Sequence, residues 1–410
     1  MSAKTPRKTF RRAVLGTCSG VHIIHDGFSN ALYLLFPIWQ TEFALSLTQV
    51  GLLKSLYSGT TALLQIPAGL LAERWGERAI LGIGTVIAGL AYMTLGMVEG
   101  HVALLATLLA AGAGAAVQHP LASSVVSKTY DHGTRRAALG IYNFSGDVGK
   151  ISISLMVSVI IGSLGWRWGA TSAGTVGVAA GIIAYLVFRR LGAGSPPDKN
   201  RVAHAATAGS GGKEFETGWG IKNWFGFNIL SAIGIIDSAG RTGFLTFLPF
   251  LLIAKGAGIE TVGVALALVY GGGAAGKFIC GFLSQRLGII LTVVLTEIIT
   301  GVGILALLVL PPNAAMVLLP LIGLGLNGTS TVLYGTVSEF VTEEHQARGF
   351  GLFYTLSIGG SAVAPAIFGM LSDVSGITVT LSAVAVLALT TIPLCALLVR
   401  PLSQLQHPLG

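Results

Sequence analysis

Apolar residues fill this chain in long runs broken by short polar gaps, rather than alternating or returning on one face. A helix that crosses a bilayer needs about 20 mostly apolar residues. Measured against that length, the sequence divides into twelve predicted spans: 13–38, 48–72, 79–98, 102–127, 137–163, 168–189, 222–253, 260–285, 288–310, 313–340, 349–372 and 377–399. Most connections are short. The exception is 190–221, polar and rich in Gly, Pro and Ser, which has the composition of a linker and parts six spans from six. The expected organisation is an N-terminal six-helix bundle over 1–195, a cytoplasmic linker over 196–218 and a C-terminal six-helix bundle over 219–410. The expected fold is all-α integral membrane: twelve transmembrane helices in two pseudo-symmetric six-helix bundles around a central cavity.

The two sets of six repeat one another. A shift of 212 residues lays Pro37 on Pro249, Val50-Gly51 on Val262-Gly263, Gly59 on Gly271 and Gly69 on Gly281. The same shift lays Arg74 on Arg286, Gly76 on Gly288, Arg136 on Arg348, Tyr142 on Tyr354 and Ser145 on Ser357. The frame weakens in span four, where Gly112 falls on Leu324, one residue past Gly323. Glycine matches alone mean little in a chain with 57 glycines, but the proline, arginine and tyrosine matches at one offset point to two homologous halves. Paired membrane repeats mark secondary transporters, whose substrate site lies between the halves near mid-membrane.

Composition agrees with the pattern. Apolar residues make up 52% of the chain and charged residues 10%, against about 25% charged in a soluble domain. So few charges cannot coat a water-facing surface, which excludes a soluble enzyme. Glycine stands at about twice its usual share, as expected where helices pack closely in lipid. The net charge of +8 resolves by side: of 25 Lys and Arg, 19 fall on the side of the N-terminus and two, Arg167 and Lys255, on the other. Lys54, Lys150, Arg241 and Lys277 lie within spans. The positive-inside rule then puts both termini in the cytoplasm, and the basic balance needs no nucleic acid to explain it. Basic residues from Lys4 to Arg12 imitate a signal peptide, but the apolar run continues through His22, His25 and Asp26 to Pro37 without a cleavage site, so it is expected to remain as the first span. Cys18, Cys280 and Cys395 all lie in apolar runs without metal-site spacing, and are expected as small buried hydrophobes.

Between spans two and three runs Gly69-Leu-Leu-Ala-Glu73-Arg74-Trp-Gly76-Glu-Arg78. It resembles the signature loop of the major facilitator superfamily, with Glu73 where that family usually has Asp. The second copy, Gly281-Phe-Leu-Ser-Gln285-Arg286-Leu-Gly288, keeps the glycines and the arginine but has Gln at the acidic position. Glycines here permit a tight turn and close helix approach, and the resemblance implies a conformational latch built from Gly69, Glu73, Arg74, Gly76, Arg78 and Arg286. His22-Ile-Ile-His25-Asp26, then Pro37-Ile-Trp-Gln40-Thr-Glu42-Phe43, Gln49-Val-Gly51-Leu and the later His119-Pro120-Leu-Ala-Ser123, look like the fosmidomycin-resistance branch of that superfamily. That resemblance implies a proton-driven exporter of the inner membrane. Two features depart from it. Span five carries Asp147 and Lys150, and the span-four arginine and span-five proline–glycine motif of drug–proton antiporters are missing.

An ionisable group at mid-bilayer costs about 2.5–3.5 kcal/mol even on the forgiving insertion scale, so such residues normally face a cavity and mark a pathway. His22 and Asp26, four apart, share a helix face, and His25 adjoins them. Three readings fit: a proton carrier, since histidine titrates near neutral pH; a transition-metal site; or a packing pair. Asp147 with Lys150, and Asp237 with Arg241, are spaced to pair within their own helices, where the plain alternative is mutual neutralisation. The resemblance places spans one, four, five, seven and eight around the cavity, so these residues, with Lys277, His119, Tyr142 and Tyr354, are candidate substrate contacts. Lys150, Arg241 and Lys277 together favour an anion, which Arg241 can grip bidentately. Glu297 is expected to be structural or interfacial, and Lys54 to snorkel outward.

The expected function is a proton-coupled secondary transporter working by alternating access and exporting a small polar or anionic compound or drug. The alternative is a proton symporter importing a small organic anion. No protease signature argues for an intramembrane enzyme. The expected partners are the small-molecule substrate, protons and the lipid bilayer, for a multi-pass inner-membrane monomer with no nucleic acid, no cofactor and no metal.

Overall fold

The computed structural model describes residues 8–195, 219–342 and 345–406. The proposed linker at 196–218 and the basic residues Lys4 and Arg7 lie outside the described residues. Helices make up the rest apart from turns and an isolated antiparallel bridge between Ile221 and Val341. The first half holds α1 (Lys8–Glu42), α2 (Leu47–Trp75), α3 (Glu77–Leu95), α4 (His101–Ala115), α5 (Gln118–Thr129), α6 (His132–Leu164) and α7 (Trp166–Leu191). The second holds α8 (Trp224–Ala254), α9 (Ile259–Leu287), α10 (Ile289–Val309), α11 (Pro312–Phe340), α12 (Gln346–Leu389) and α13 (Thr391–Gln406).

These helices make twelve spans. α4 and α5 form one span, interrupted at Ala116 and Val117. α12 bends at Gly376 and so contains one span and the start of the next, which α13 completes. Nine stretches among the described residues are long and apolar enough to cross a membrane, the last of them covering the α12–α13 pair. α1 and α2 are not among the nine, and they are the helices that carry His22, His25, Asp26 and Lys54.

The repeat reappears in the backbone. α2 and α9 start and stop 212 residues apart, at Leu47 and Ile259 and at Trp75 and Leu287. Gly76 precedes α3 at φ 85° and Gly288 precedes α10 at φ 84°. L-residues avoid that region because Cβ collides with the backbone, which is why both signature loops keep this glycine. Gly165, between α6 and α7, and Gly376, at the bend of α12, have the same extended, positive-φ geometry.

The chain forms two compact units, one of residues up to Ala31 together with those from Thr60 to Thr217, the other of Leu32–Gly59 and Gly218–Gly410. The division near 217 falls at the end of the expected linker, whereas 32–59 groups with the second unit rather than with the first half of the sequence. The first unit is built on Val14, Cys18, Leu81, Leu121, Tyr142 and Phe188, the second on Phe227, Cys280, Val293, Leu333, Phe353 and Cys395. All three cysteines are buried and free. Large apolar side chains such as Leu63, Ile66, Val159, Val309 and Val374 point outward, and Trp75, Trp168 and Trp224 stand exposed at helix ends, where amphipathic rings favour the membrane–water boundary.

Within the second unit the start of α2 is fastened to α12. Ser46 and Gln49 form a reciprocal capping box, the Ser46 amide donating to Gln49 Oε1 (2.9 Å) and the Gln49 amide to Ser46 Oγ (3.1 Å). Asp373 takes the two remaining amides, Leu47 at 2.7 Å and Thr48 at 2.8 Å, and the Thr48 hydroxyl at 2.5 Å. Asp373 lies beyond the apolar segment of span eleven. Partial burial raises its carboxyl, but the bonds from the Thr48 hydroxyl and from the Thr48 and Leu47 amides outweigh that and hold it below the usual carboxylate range.

Candidate functional site

In the first unit, Asp26 of α1 gathers polar groups from three helices. Its Oδ2 lies 3.4 Å from His22 Nε2 and 3.3 Å from Lys150 Nζ of α6, and its Oδ1 lies 3.7 Å from His119 Nε2 of α5. Lys150 also reaches Asp147 Oδ1 at 3.1 Å, so the ammonium bridges two carboxylates. The helix spacing of His22 and Asp26 predicted their contact; Lys150 and His119 arrive from other helices. α1 and α6 come this close because Gly149 packs on the backbone of Ile23, and Gly27 on the side chain of Ile153. The break between α4 and α5 sets His119 at the start of α5, with Pro120 in the first helical turn, where its missing N–H leaves no bond unmade.

The orientation of His22 is fixed. Its Nδ1 lies 2.8 Å from the Tyr142 carbonyl, which also accepts from Ser145 Oγ (2.6 Å), and its ring stacks on Tyr142 at 4.4 Å. A carbonyl only accepts, so Nδ1 carries the hydrogen and Nε2 faces the Asp26 carboxylate. Tyr142 is fully buried, its hydroxyl accepting from Gln118 Nε2 at 2.7 Å. It supports His22 from behind.

His25 does not join this cluster. Its Nε2 lies 3.0 Å from Thr85 Oγ1 on α3. The Thr85 hydroxyl donates to the Leu81 carbonyl (2.7 Å), so His25 Nε2 is the donor to Thr85. Consecutive positions on a helix point about 100° apart, which is why adjacency to Asp26 in sequence does not become contact.

The second unit has its own charged group. Arg241 Nη1 donates to Ser330 Oγ at 2.7 Å, and Ser330 donates to Asp237 Oδ2 at 2.7 Å. Arg241 Nη2 donates to Ser238 Oγ (3.2 Å) and lies 3.8 Å from Asp237 Oδ2. The expected Asp237–Arg241 pair is therefore long, and a serine on α11 that the sequence analysis did not single out connects it. Arg241 Nε has no protein partner among the described residues, and the Arg241 side chain is 24% exposed where Asp237 is 4% exposed.

Lys277, half-buried on α9, does not reach Asp237, whose polar partners are Ser330 and Arg241. Tyr354 is 39% exposed beside Tyr334, unlike its buried repeat partner Tyr142. Glu297, expected to be structural or interfacial, is buried in α10 next to Thr296, whose hydroxyl accepts from Thr329 at 2.6 Å. Lys54 does not snorkel. It is buried, with Nζ 4.8 Å from the ring centre of Tyr33 and 5.3 Å from that of Tyr57, an arrangement that stabilises a cation through the ring faces.

The signature loop also differs from expectation. Glu73 and Arg74 are exposed and form no ion pair among the described residues. The buried, paired acid of this loop is Glu77, which meets Lys128 Nζ at 2.7 Å and Ser124 Oγ. Arg78 donates its amide to the Gly194 carbonyl (3.0 Å) and Nη1 to Ser195 Oγ (3.1 Å). Arg286 lies over the ring of Phe282 at 4.5 Å. A Cβ on Gly69 would meet nothing within 4 Å, so close approach does not explain that glycine, whereas positive φ explains Gly76.

The profile of the Major Facilitator Superfamily matches residues 18–234 and 230–409. The chain is 25% identical to the probable L-galactonate transporter of Escherichia coli over 60% of this chain and 55% of that one. It is 28% identical to the fosmidomycin resistance protein of the same organism, over 40% of each chain. These matches span only about half the length of those relatives, and the second is too partial to fix the branch. Among solved structures, a bacterial homolog of the human lysosomal transporter Spinster, in an inward-facing and occupied conformation, superimposes with a TM-score of 0.80 at 18% identity, over 96% of this chain and 98% of that one. A matching profile over nearly the whole length, on a twelve-span helical fold, shows that this multi-pass membrane chain belongs to the Major Facilitator Superfamily and is a transporter rather than an enzyme.

Proposed function

We propose that the protein is a proton-coupled transporter of a small organic anion, working by alternating access in the inner membrane, with both termini cytoplasmic. The observation that carries the proton role is His22 Nε2 facing the Asp26 carboxylate at 3.4 Å, with Nδ1 committed to the Tyr142 carbonyl. A proton shared between that nitrogen and that carboxylate makes the contact a charge-assisted hydrogen bond. Asp26 and His22 carry the proton, and His119 lies within reach of the same carboxylate. Lys150 answers to the protonation of Asp26, because Asp147 retains the ammonium when Asp26 is neutral. His25 keeps a packing role against Thr85.

Arg241 binds the anionic end of the substrate, since part of its fork is uncommitted, and Lys277 of the same unit adds positive potential. The similarity to a probable L-galactonate transporter supports a sugar acid as the class to test first. Export is the direction that the partial match with the fosmidomycin resistance protein favours. Import by proton symport is the alternative, favoured by Asp147 and Lys150 and by the absence of the drug–proton antiporter motifs.

The test uses the full chain in liposomes with labelled galactonate and an imposed pH gradient. Accumulation should follow the gradient in the wild type. Asp26→Asn should abolish accumulation while preserving exchange of labelled for unlabelled substrate. Wild-type accumulation by a well-expressed Asp26→Asn protein would remove the proton role from this cluster. The gradient orientation that drives accumulation separates symport from antiport.

A further inference from the structure

We infer that His22, Asp26 and His119 form a binding site for a transition-metal ion of the Zn²⁺ class. The sequence pointed away from metal because no cluster of Cys or Met lies near His22 and Asp26; the third ligand, His119, lies 93 residues beyond Asp26 and reaches them through α5. One ligand atom from each of the three residues lies within 4.8 Å of the others. Tetrahedral zinc with bonds near 2.1 Å sets its ligand atoms about 3.4 Å apart. His22 Nε2 to Asp26 Oδ2 is 3.4 Å and His119 Nε2 to Asp26 Oδ1 is 3.7 Å. The two imidazole rings meet edge to face with centroids 5.2 Å apart, and the fine adjustment to a common ion falls to His119, whose side chain is 43% exposed.

Two further observations point to a ligand. A metal-bound histidine normally donates its second ring nitrogen to a carbonyl or carboxylate, which fixes the tautomer and aims the lone pair; His22 Nδ1 does this to the Tyr142 carbonyl at 2.8 Å. The space beside the two ligand atoms exists only because residue 146 is glycine. A Cβ there would stand 2.5 Å from His22 Nε2 and 2.6 Å from Asp26 Oδ2.

The competitor is Lys150, 3.3 Å from Asp26 Oδ2. Asp147, 3.1 Å from the same ammonium, can hold it alone and release Asp26 to the metal. Two histidines and a carboxylate leave a fourth position for water or a substrate carboxylate. The inference does not depend on the substrate or the direction of transport, and it places Zn²⁺ in competition with the proton.

The test measures equilibrium Zn²⁺ binding to the full-length protein in detergent, purified through a tag without histidine, at pH 7.5. Metal content after dialysis gives stoichiometry, calorimetry gives affinity, and the visible absorption of Co²⁺ in place of Zn²⁺ reports coordination. One ion per chain is expected. His119→Ala and Gly146→Ala should each weaken binding tenfold or more, and Lys150→Met should tighten it by removing the competing cation. Size-exclusion profiles and unfolding temperatures confirm that each variant is folded; the exposed His119 ring leaves no core cavity when removed. Wild-type protein without stoichiometric Zn²⁺, or equal affinity in wild type, His119→Ala and Lys150→Met, would overturn the inference.

Discussion

The hydroxyl of Ser330 holds two charged side chains at once, accepting from Arg241 and donating to Asp237. Ser330→Ala takes from a carboxylate that is 4% exposed its one hydrogen-bond donor among the described residues. A bond to a charged group contributes about 1.5–3 kcal/mol, and the loss should appear both as a lower unfolding temperature and as weaker substrate binding, because Arg241 is then drawn onto Asp237. Arg241→Lys should weaken apparent affinity about ten- to a hundredfold, since an ammonium cannot reproduce two parallel N–H bonds; transport kinetics on both variants check this. Unchanged affinity in Arg241→Lys would reduce the group to a salt bridge within α8. Asp237 and Arg241 were legible from their spacing of four, as were His22 and Asp26. Ser330 was not, because a serine among the glycines and threonines of α11 carries no periodic signal. His25 misled for the converse reason, being next to Asp26 in the chain and turned away from it on the helix.

At the scale of one helix, the start of α2 shows what local sequence can and cannot specify. Ser46-Leu-Thr-Gln49 is a capping box that can be read from the chain alone. Asp373, the partner of the other amides, lies 326 residues away from Leu47 and needed the fold. Asp373→Ala should lower stability by about 1 kcal/mol, the usual worth of an N-terminal cap. Its pH dependence has a definite sign. A carboxyl held below its ordinary range stabilises the fold at pH values above that range, and the contribution is lost as pH falls through the lowered value. The difference in unfolding temperature between wild type and Asp373→Ala should therefore stay constant from pH 8 to about 5 and shrink only below about 4. A difference that vanishes near neutral pH would show that the carboxylate does not carry the cap.

For the molecule as a whole, the count of spans and the 212-residue repeat were legible because hydrophobic length and glycine placement are properties of the chain itself. The grouping of 32–59 with the second unit was not, since it arises from packing such as Gly51 against the Pro365 backbone. The repeat makes a paired prediction. Gly76→Ala and Gly288→Ala force the same disfavoured backbone region on an L-residue, at about 1–3 kcal/mol each. The two variants should lose similar amounts of thermal stability. A marked loss in one alone would mean that the loops, alike in dihedral angle, differ in how firmly their surroundings hold them.

Those twin glycines also bear on ancestry. If both halves descend from one duplicated six-helix segment, the backbone at the helix starts has drifted less than the chemistry. His22 stands opposite Gly234, Asp26 opposite Ser238, Asp147 opposite Gly359 and Lys150 opposite Ala362. Asp237 and Arg241 in turn stand opposite His25 and Ser29. His22, Asp26, Asp147 and Lys150 thus have uncharged counterparts, while Asp237 and Arg241 occupy different register positions. Duplication supplied two copies of a scaffold, and divergence furnished them differently: one copy carries a cluster of two histidines, two carboxylates and a lysine, the other a guanidinium tied to a carboxylate through a serine.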